Sequence, residues 1–188
     1  MTHILFNKSE TSLKLNQDDM FKDINVFLKE MYYNIELDYP KFFKMDNLCK
    51  LGIIGTELLY RKNKNLFRKR ERVGIILQNK TSSLDSDIRH QEAIENNTIS
   101  PAIFVYTLPN IVIGEISIKN KWNSEGVFFV DKTLDFQLLS QYSNILLKEK
   151  RTDLNLIGWI NVIKNQYSLK ICIVEKDITL EKLKQLLA

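Results

Sequence analysis

Two cysteines, Cys49 and Cys172, and two histidines, His3 and His90, are the side chains of this 188-residue chain best suited to nucleophilic or metal chemistry. A thiol becomes a useful nucleophile only where a cation, a base or a helix N-terminus lowers its pKa. Each cysteine stands in an apolar stretch without a C-x-x-C neighbour, so both are expected to be small buried hydrophobes. The same spacing argues against a disulfide framework and a structural zinc site. His90, in Asp87-Ile88-Arg89-His90, has no second histidine nearby and is expected on the surface. A histidine dyad or a His-rich metal centre therefore has almost no material. Charge is the other chemical resource. Arg61, Lys62, Lys64, Arg68, Lys69, Arg70 and Arg72 form a basic stretch that contains a single acid, Glu71. Such a run is either a solvated helix end and loop or a positive surface that attracts an anionic partner. No helix-turn-helix, zinc-finger or RNA-binding aromatic motif accompanies it, so nucleic acid is not the expected partner.

The elements that must position these residues follow from periodicity. Hydrophobic residues make up 44% of the chain and charged ones 27%, with a net charge of +4, which is a globular composition. One domain over 1–188 is expected. The N-terminus lacks the pattern of a signal peptide and no apolar run is long enough to span a bilayer, so a cytoplasmic protein with no membrane contact is expected. Ile4-Leu5-Phe6 reads as a strand, and Met20, Ile24, Phe27, Leu28 and Met31 predict a helix from Asp18 to Tyr33. A second helix is predicted from Phe42 to Leu59, after Pro40. Arg72 to Leu77 is a continuous apolar run suited to a strand covered on both faces. Ser83 to Glu95 reads as a helix, and Ser100-Pro101 as a helix start with a hydroxyl cap.

Gly126 to Val130 is a further strand, from which a helix is predicted to begin at Asp131, Lys132 and Thr133 and to run to about Lys148. Its apolar stripe would be Leu134, Leu138, Tyr142, Ile145 and Leu146, and Asp131 and Asp135 suit its positive end. Leu154 to Val162 and Ser168 to Glu175 read as strands joined by a hairpin turn at Lys164-Asn165-Gln166, and Thr179 to Leu187 as the last helix. Strands alternating with helices define an α/β chain with a mixed sheet of about five strands, the last of them covering an edge.

One segment is more specific. From Ser100 the chain reads Ser-Pro-Ala-Ile-Phe, then Leu108-Pro109-Asn110, then Gly114-Glu115-Ile116-Ser117-Ile118. In order and spacing this resembles the N-terminal half of β-ketoacyl synthases, condensing enzymes of the thiolase-like fold. Ser100, Pro101, Phe104, Leu108, Asn110, Gly114, Ser117 and Ile118 carry the likeness. Lys44-Met45-Asp46, Arg72 to Ile76, Asp153 and Gly158 extend it, so that it covers roughly residues 40 to 163. The resemblance implies half of a thiolase-like fold.

In that family a cysteine at the turn between strand and helix accepts the acyl chain from a carrier protein. Counting back from Asp153 and Gly158 places Thr133 at that position, flanked by Asp131 and Asp135, with no cysteine near. A threonine hydroxyl stays protonated without a base, and the family's catalytic histidines and lysine belong to a second half absent from this sequence. The glycine-rich turns around the nucleophile are replaced by Leu134, Asp135 and Phe136, and Phe136 would fill an acyl pocket. The likeness therefore implies a catalytically impaired ketosynthase-like partner in fatty-acid, polyketide or aryl-polyene-type pigment biosynthesis. Its expected partners are an acyl carrier protein, met by Arg68, Lys69, Arg70 and Arg72, and a full-length synthase or a second copy, met through residues 127–130. The alternative is a residual acyltransferase or hydrolase that uses Thr133 or a partner's residues. Neither a cofactor nor a metal is expected.

Overall fold

The computed structural model describes residues 4–6, 11–16, 23–68 and 70–187. The apolar run from Val73 forms β3 (Val73–Asn79), buried along its whole length as a strand covered on both faces must be. On one side it pairs in parallel with β4 (Gly126–Val130), and on the other with β5 (Leu154–Ile163). A turn at Lys164 and Asn165, with Lys164 at φ +52°, returns the chain as β6 (Gln166–Val174), antiparallel to β5. Beyond β6 lie β2 (Ser12–Asn16) and then β1 (Ile4–Phe6), giving the mixed order β1-β2-β6-β5-β3-β4. The sequence expectation that the Ser168 to Glu175 strand covers an edge is corrected: β6 is interior because β2 pairs with it from Ser12 opposite Cys172 to Asn16 opposite Ser168. Only two side chains of β2, Leu13 and Leu15, face the core, too short an alternation to be read as a strand without its partner.

The helices are α1 (Ile24–Asn34), α2 (Asn47–Lys62), α3 (Lys64–Phe67), α4 (Leu84–Glu95), α5 (Pro101–Val105), α6 (Ile111–Asn120), α7 (Phe136–Lys148) and α8 (Leu180–Leu187). One face of the sheet packs on α1, α2 and α6 through Phe27, Ile53, Leu59 and Val112 against Leu13, Ile75, Leu156 and Leu169. The other packs on α7 and α8, with Leu139, Leu146, Leu183 and Leu187 against Ile76, Ile157 and Cys172. Two glycines permit close approach. A Cβ on Gly55 of α2 would lie 2.1 Å from Leu169 Cδ2, and one on Gly158, whose φ is +151°, would lie 2.0 Å from the Lys170 carbonyl oxygen of β6.

Three helix boundaries differ from those predicted. The helix expected from Asp18 begins at Ile24, where Asp23 accepts a hydrogen bond from the Asn25 amide; Asp18 and Met20 lie outside the described residues. The helix expected over Phe42 to Leu59 is a 3₁₀ turn (Pro40–Lys44) followed by α2, because Asp46 takes an extended backbone and caps the Cys49 amide at 2.9 Å. The helix expected from Asp131 starts only at Phe136. Its buried side is Leu139, Ser143 and Leu146, while Ile145, assigned to the core stripe by spacing, is 48% exposed.

Candidate functional site

The turn between β4 and α7 decides whether Thr133 can act as a nucleophile. The Asp131 amide donates to the Asn79 carbonyl at 2.8 Å, and the Asp131 carboxylate accepts from the Lys132 amide. Asp131 thus closes a loop; its expected role as a helix cap is corrected. Asp135 is the cap, accepting from the Leu138 amide at 2.9 Å while its own amide donates to Gln78 Oε1 at 2.8 Å. Thr133 is exposed in the loop ahead of that cap, outside the first turn whose free N–H groups carry the positive end of the helix. Among the described residues no hydrogen bond joins its hydroxyl to Asp131, Asp135 or a base.

The thiols offer no substitute. Cys49 is buried at the start of α2, where desolvation and the Asp46 carboxylate push it well above its ordinary value. Burial alone pushes Cys172 up. Both are the small buried hydrophobes that their sequence surroundings predict. His90 is corrected: it is half-buried, its ring 5.5 Å from that of Phe104, and its Nδ1 is buried without a hydrogen-bond partner. His3 lies outside the described residues. Among the described residues no cluster of histidine, cysteine or carboxylate side chains is arranged to hold a metal.

The residues of the Ser100 to Ile118 motif occupy a surface. Ser100 makes no side-chain cap. Phe104 is 62%, Leu108 58% and Ile118 64% exposed, and the Cβ position of Gly114 opens onto free space. Ile118 and Gly114 lie on the outer side of α6, whose inner side packs Val112 and Ile116 into the core. Beside α6, with Ile113 against Gly126, runs β4, a sheet edge with half-buried Val127, Phe128 and Phe129 and an exposed Val130. The signal was present in Ile111 to Ile118, which is apolar around most of its circumference and so must leave apolar residues outside.

The basic stretch is partly stitched into the fold. Arg61 binds Glu57 at 2.6 Å and the Ile35 carbonyl. Arg70 donates to Glu175 at 2.8 Å and to the Asp153 carbonyl at 3.2 Å, and Arg72 pairs with the Asp153 carboxylate and donates to the Lys150 carbonyl at 2.8 Å. Arg68 is exposed and makes no ion pair among the described residues. Lys69 lies outside them.

No family model matches the sequence, and no curated protein matches it. Solved structures do. The fold is similar to that of the ishigamide ketosynthase/chain length factor, with a TM-score of 0.60 at 15% identity over 71% of this chain and 44% of that one. It is similar also to a structure of the ketosynthase ApeO in complex with its chain length factor ApeC from Xenorhabdus doucetiae, with a TM-score of 0.54 at 12% identity over 75% of this chain and 62% of that one. A third match is to AntDE:AntF, a type II polyketide synthase acyl carrier protein in complex with its ketosynthase, with a TM-score of 0.56 at 12% identity over 82% of this chain and 58% of that one. The chain therefore shares the α/β fold of part of these ketosynthase and chain length factor structures, in keeping with the half of a thiolase-like fold that its motif residues imply. It spans about half the length of the structures it matches.

Proposed function

We propose that this chain is a non-catalytic, ketosynthase-like partner subunit in polyketide, aryl-polyene-type or fatty-acid biosynthesis, working beside a complete synthase. The observation that carries this reading is the outer edge of β4, which pairs with no strand but β3 among the described residues and runs beside α6 with its exposed Ile118. An apolar edge strand left open invites pairing with another chain, and an apolar surface beside it marks an interaction face. A second chain of the same fold meets that need through strand pairing at residues 127–130 and packing on Phe104, Leu108 and Ile118. The exposed, uncapped position of Thr133 and the buried thiols favour chemistry on the partner. An acidic acyl carrier would approach the basic stretch chiefly through Arg68, since Arg70 and Arg72 already face carboxylates.

The test is sedimentation of the purified chain, alone and with full-length ketosynthases of the same genome. A stoichiometric complex is expected, weakened about tenfold or more by the pair Ile118→Asp and Val130→Asp with unchanged circular dichroism. A chain that stays monomeric at high concentration and binds no synthase would sink the proposal. Incubation with acyl carrier thioesters probes the enzymatic alternative: acyl transfer onto Thr133, seen by intact mass, would replace the partner reading, and complex formation without transfer would support it.

A further inference from the structure

The face of the sheet covered by α7 and α8 is only partly covered. The side chains of Ile157 and Cys172 lie beneath those helices. Two residues further toward the β5–β6 turn, on the same face, stand Trp159 and, across the hairpin, Lys170, and two residues beyond these stand Asn161 and Ser168. Here the surface opens into a groove of about 490 Å³, lined by Lys80, Lys132, Thr133, Trp159, Asn161 and Ser168 among others. It lies outside the carboxyl ends of β3 and β5. The chain leaves β3 toward α6 on one face and leaves the adjacent β4 toward α7 on the other, so the two connections part at this end of the sheet. Crevices at such a parting are where open α/β sheets hold ligands.

The charged groups of the groove are both cationic donors. Lys80 and Lys132 make no ion pair among the described residues, and no carboxylate lines the groove. Asn161 Oδ1 accepts from the Thr81 hydroxyl at 2.8 Å and from the Lys80 amide at 3.3 Å, which fixes the side-chain amide and leaves its nitrogen as a donor. Trp159 Nε1 donates to Ser168 Oγ at 3.1 Å, which frees the serine proton and leaves the indole with only its ring to offer. Beside them Lys14 of β2 stands directly opposite Lys170 of β6, and Lys170 opposite Trp159. Like charges facing across strands repel, and an anion nearby relieves that repulsion.

We propose that this groove binds a small organic phosphate, whose phosphate is met by Lys80, Lys132, Asn161 and Ser168 and whose planar or apolar body lies on the Trp159 ring. A phosphate group offers three strong acceptor oxygens to these convergent donors, more than a carboxylate can supply. The assignment does not depend on the partner reading, and the isolated chain suffices to test it.

The chain has two tryptophans, and Trp122 is buried and stacked on Phe67, so the variant Trp122→Phe confines the indole emission to Trp159. Its emission is titrated with pantetheine 4′-phosphate, adenosine monophosphate and inorganic phosphate. Saturable change with at least one organic phosphate is expected, with inorganic phosphate weaker by about tenfold or more and affinity falling as salt rises. The double variant Lys80→Gln, Lys132→Gln should lose about tenfold or more in affinity with unchanged circular dichroism, since it removes both ammonium groups from an exposed groove. No saturable change up to millimolar concentration, or affinity unaltered in the double variant, would overturn the site. Inorganic phosphate binding as tightly as the organic ligands would overturn the role given to Trp159.

Discussion

Asp46 is buried where α2 meets α4: its Oδ1 accepts from the Cys49 amide at 2.9 Å, and its Oδ2 accepts from the Ser86 hydroxyl at 2.7 Å. Burial raises its carboxyl above the usual carboxylate range, and these hydrogen bonds offset only part of the rise. Because the folded value lies above the unfolded one, the group's stabilising contribution is full below pH 3.8 and is lost as pH rises through the folded value. Asp46→Asn should therefore melt at or above the wild-type temperature near neutral pH and lose that advantage at acid pH. Asp46→Ala, which removes the cap, should cost about 1–2 kcal/mol in urea denaturation. The buried thiols make a second prediction: iodoacetamide at mildly alkaline pH should leave Cys49 and Cys172 unlabelled in the native chain and label both in denaturant. Their burial was legible from apolar neighbours in sequence. The packing of His90 was not, since Phe104 comes to it only through the folding of α4 against α5.

At the scale of elements, strands were easier to read than helix faces. The run Val73 to Leu77 can be satisfied only by burial on both sides, and β3 is so buried. For α7 the spacing picked Leu134, Leu138, Tyr142, Ile145 and Leu146; the structure buries Leu146 and packs Leu134 and Tyr142 against the core, but it exposes Ile145 and turns Leu139 and Ser143 inward as well. The reason is polar. Asn155 of β5 donates from Nδ2 to Ser143 Oγ at 2.9 Å and to the Ser143 carbonyl at 3.1 Å, an anchor invisible to hydrophobic periodicity. The same limit hid the true start of the helix, which is set by Asp135 bonding to Gln78 of β3. Gly158 gives the clearest element-level prediction. A methyl group there would meet the Lys170 carbonyl of β6, so Gly158→Ala should destabilise the β5–β6 pair by about 3 kcal/mol or prevent folding, as read from denaturation and soluble yield.

Across the whole molecule, α2 and α6 are tied by charge as well as by packing. Burial pushes Glu57 up, but hydrogen bonds from Lys119 and Arg61 outweigh it and hold its carboxyl below the usual range. That stabilisation is present above pH 4.5 and is lost as pH falls through the folded value. Lys119→Met should cost about 3 kcal/mol near neutral pH, because a largely buried carboxylate loses one of its two cations, and the loss should shrink in acid. The α/β class was legible because strands and helices alternate along the chain. The strand order was not, since β2 joins β6 across more than 150 residues and no local pattern encodes such a pairing. That order leaves the two rims of the sheet unlike each other: one ends in three-residue β1, the other in the apolar five-residue β4. Growth by strand addition is then favoured at a single rim. Two molecules joined there head to head by a twofold axis would use up that rim in both, so association would stop at a closed pair instead of propagating into a fibre.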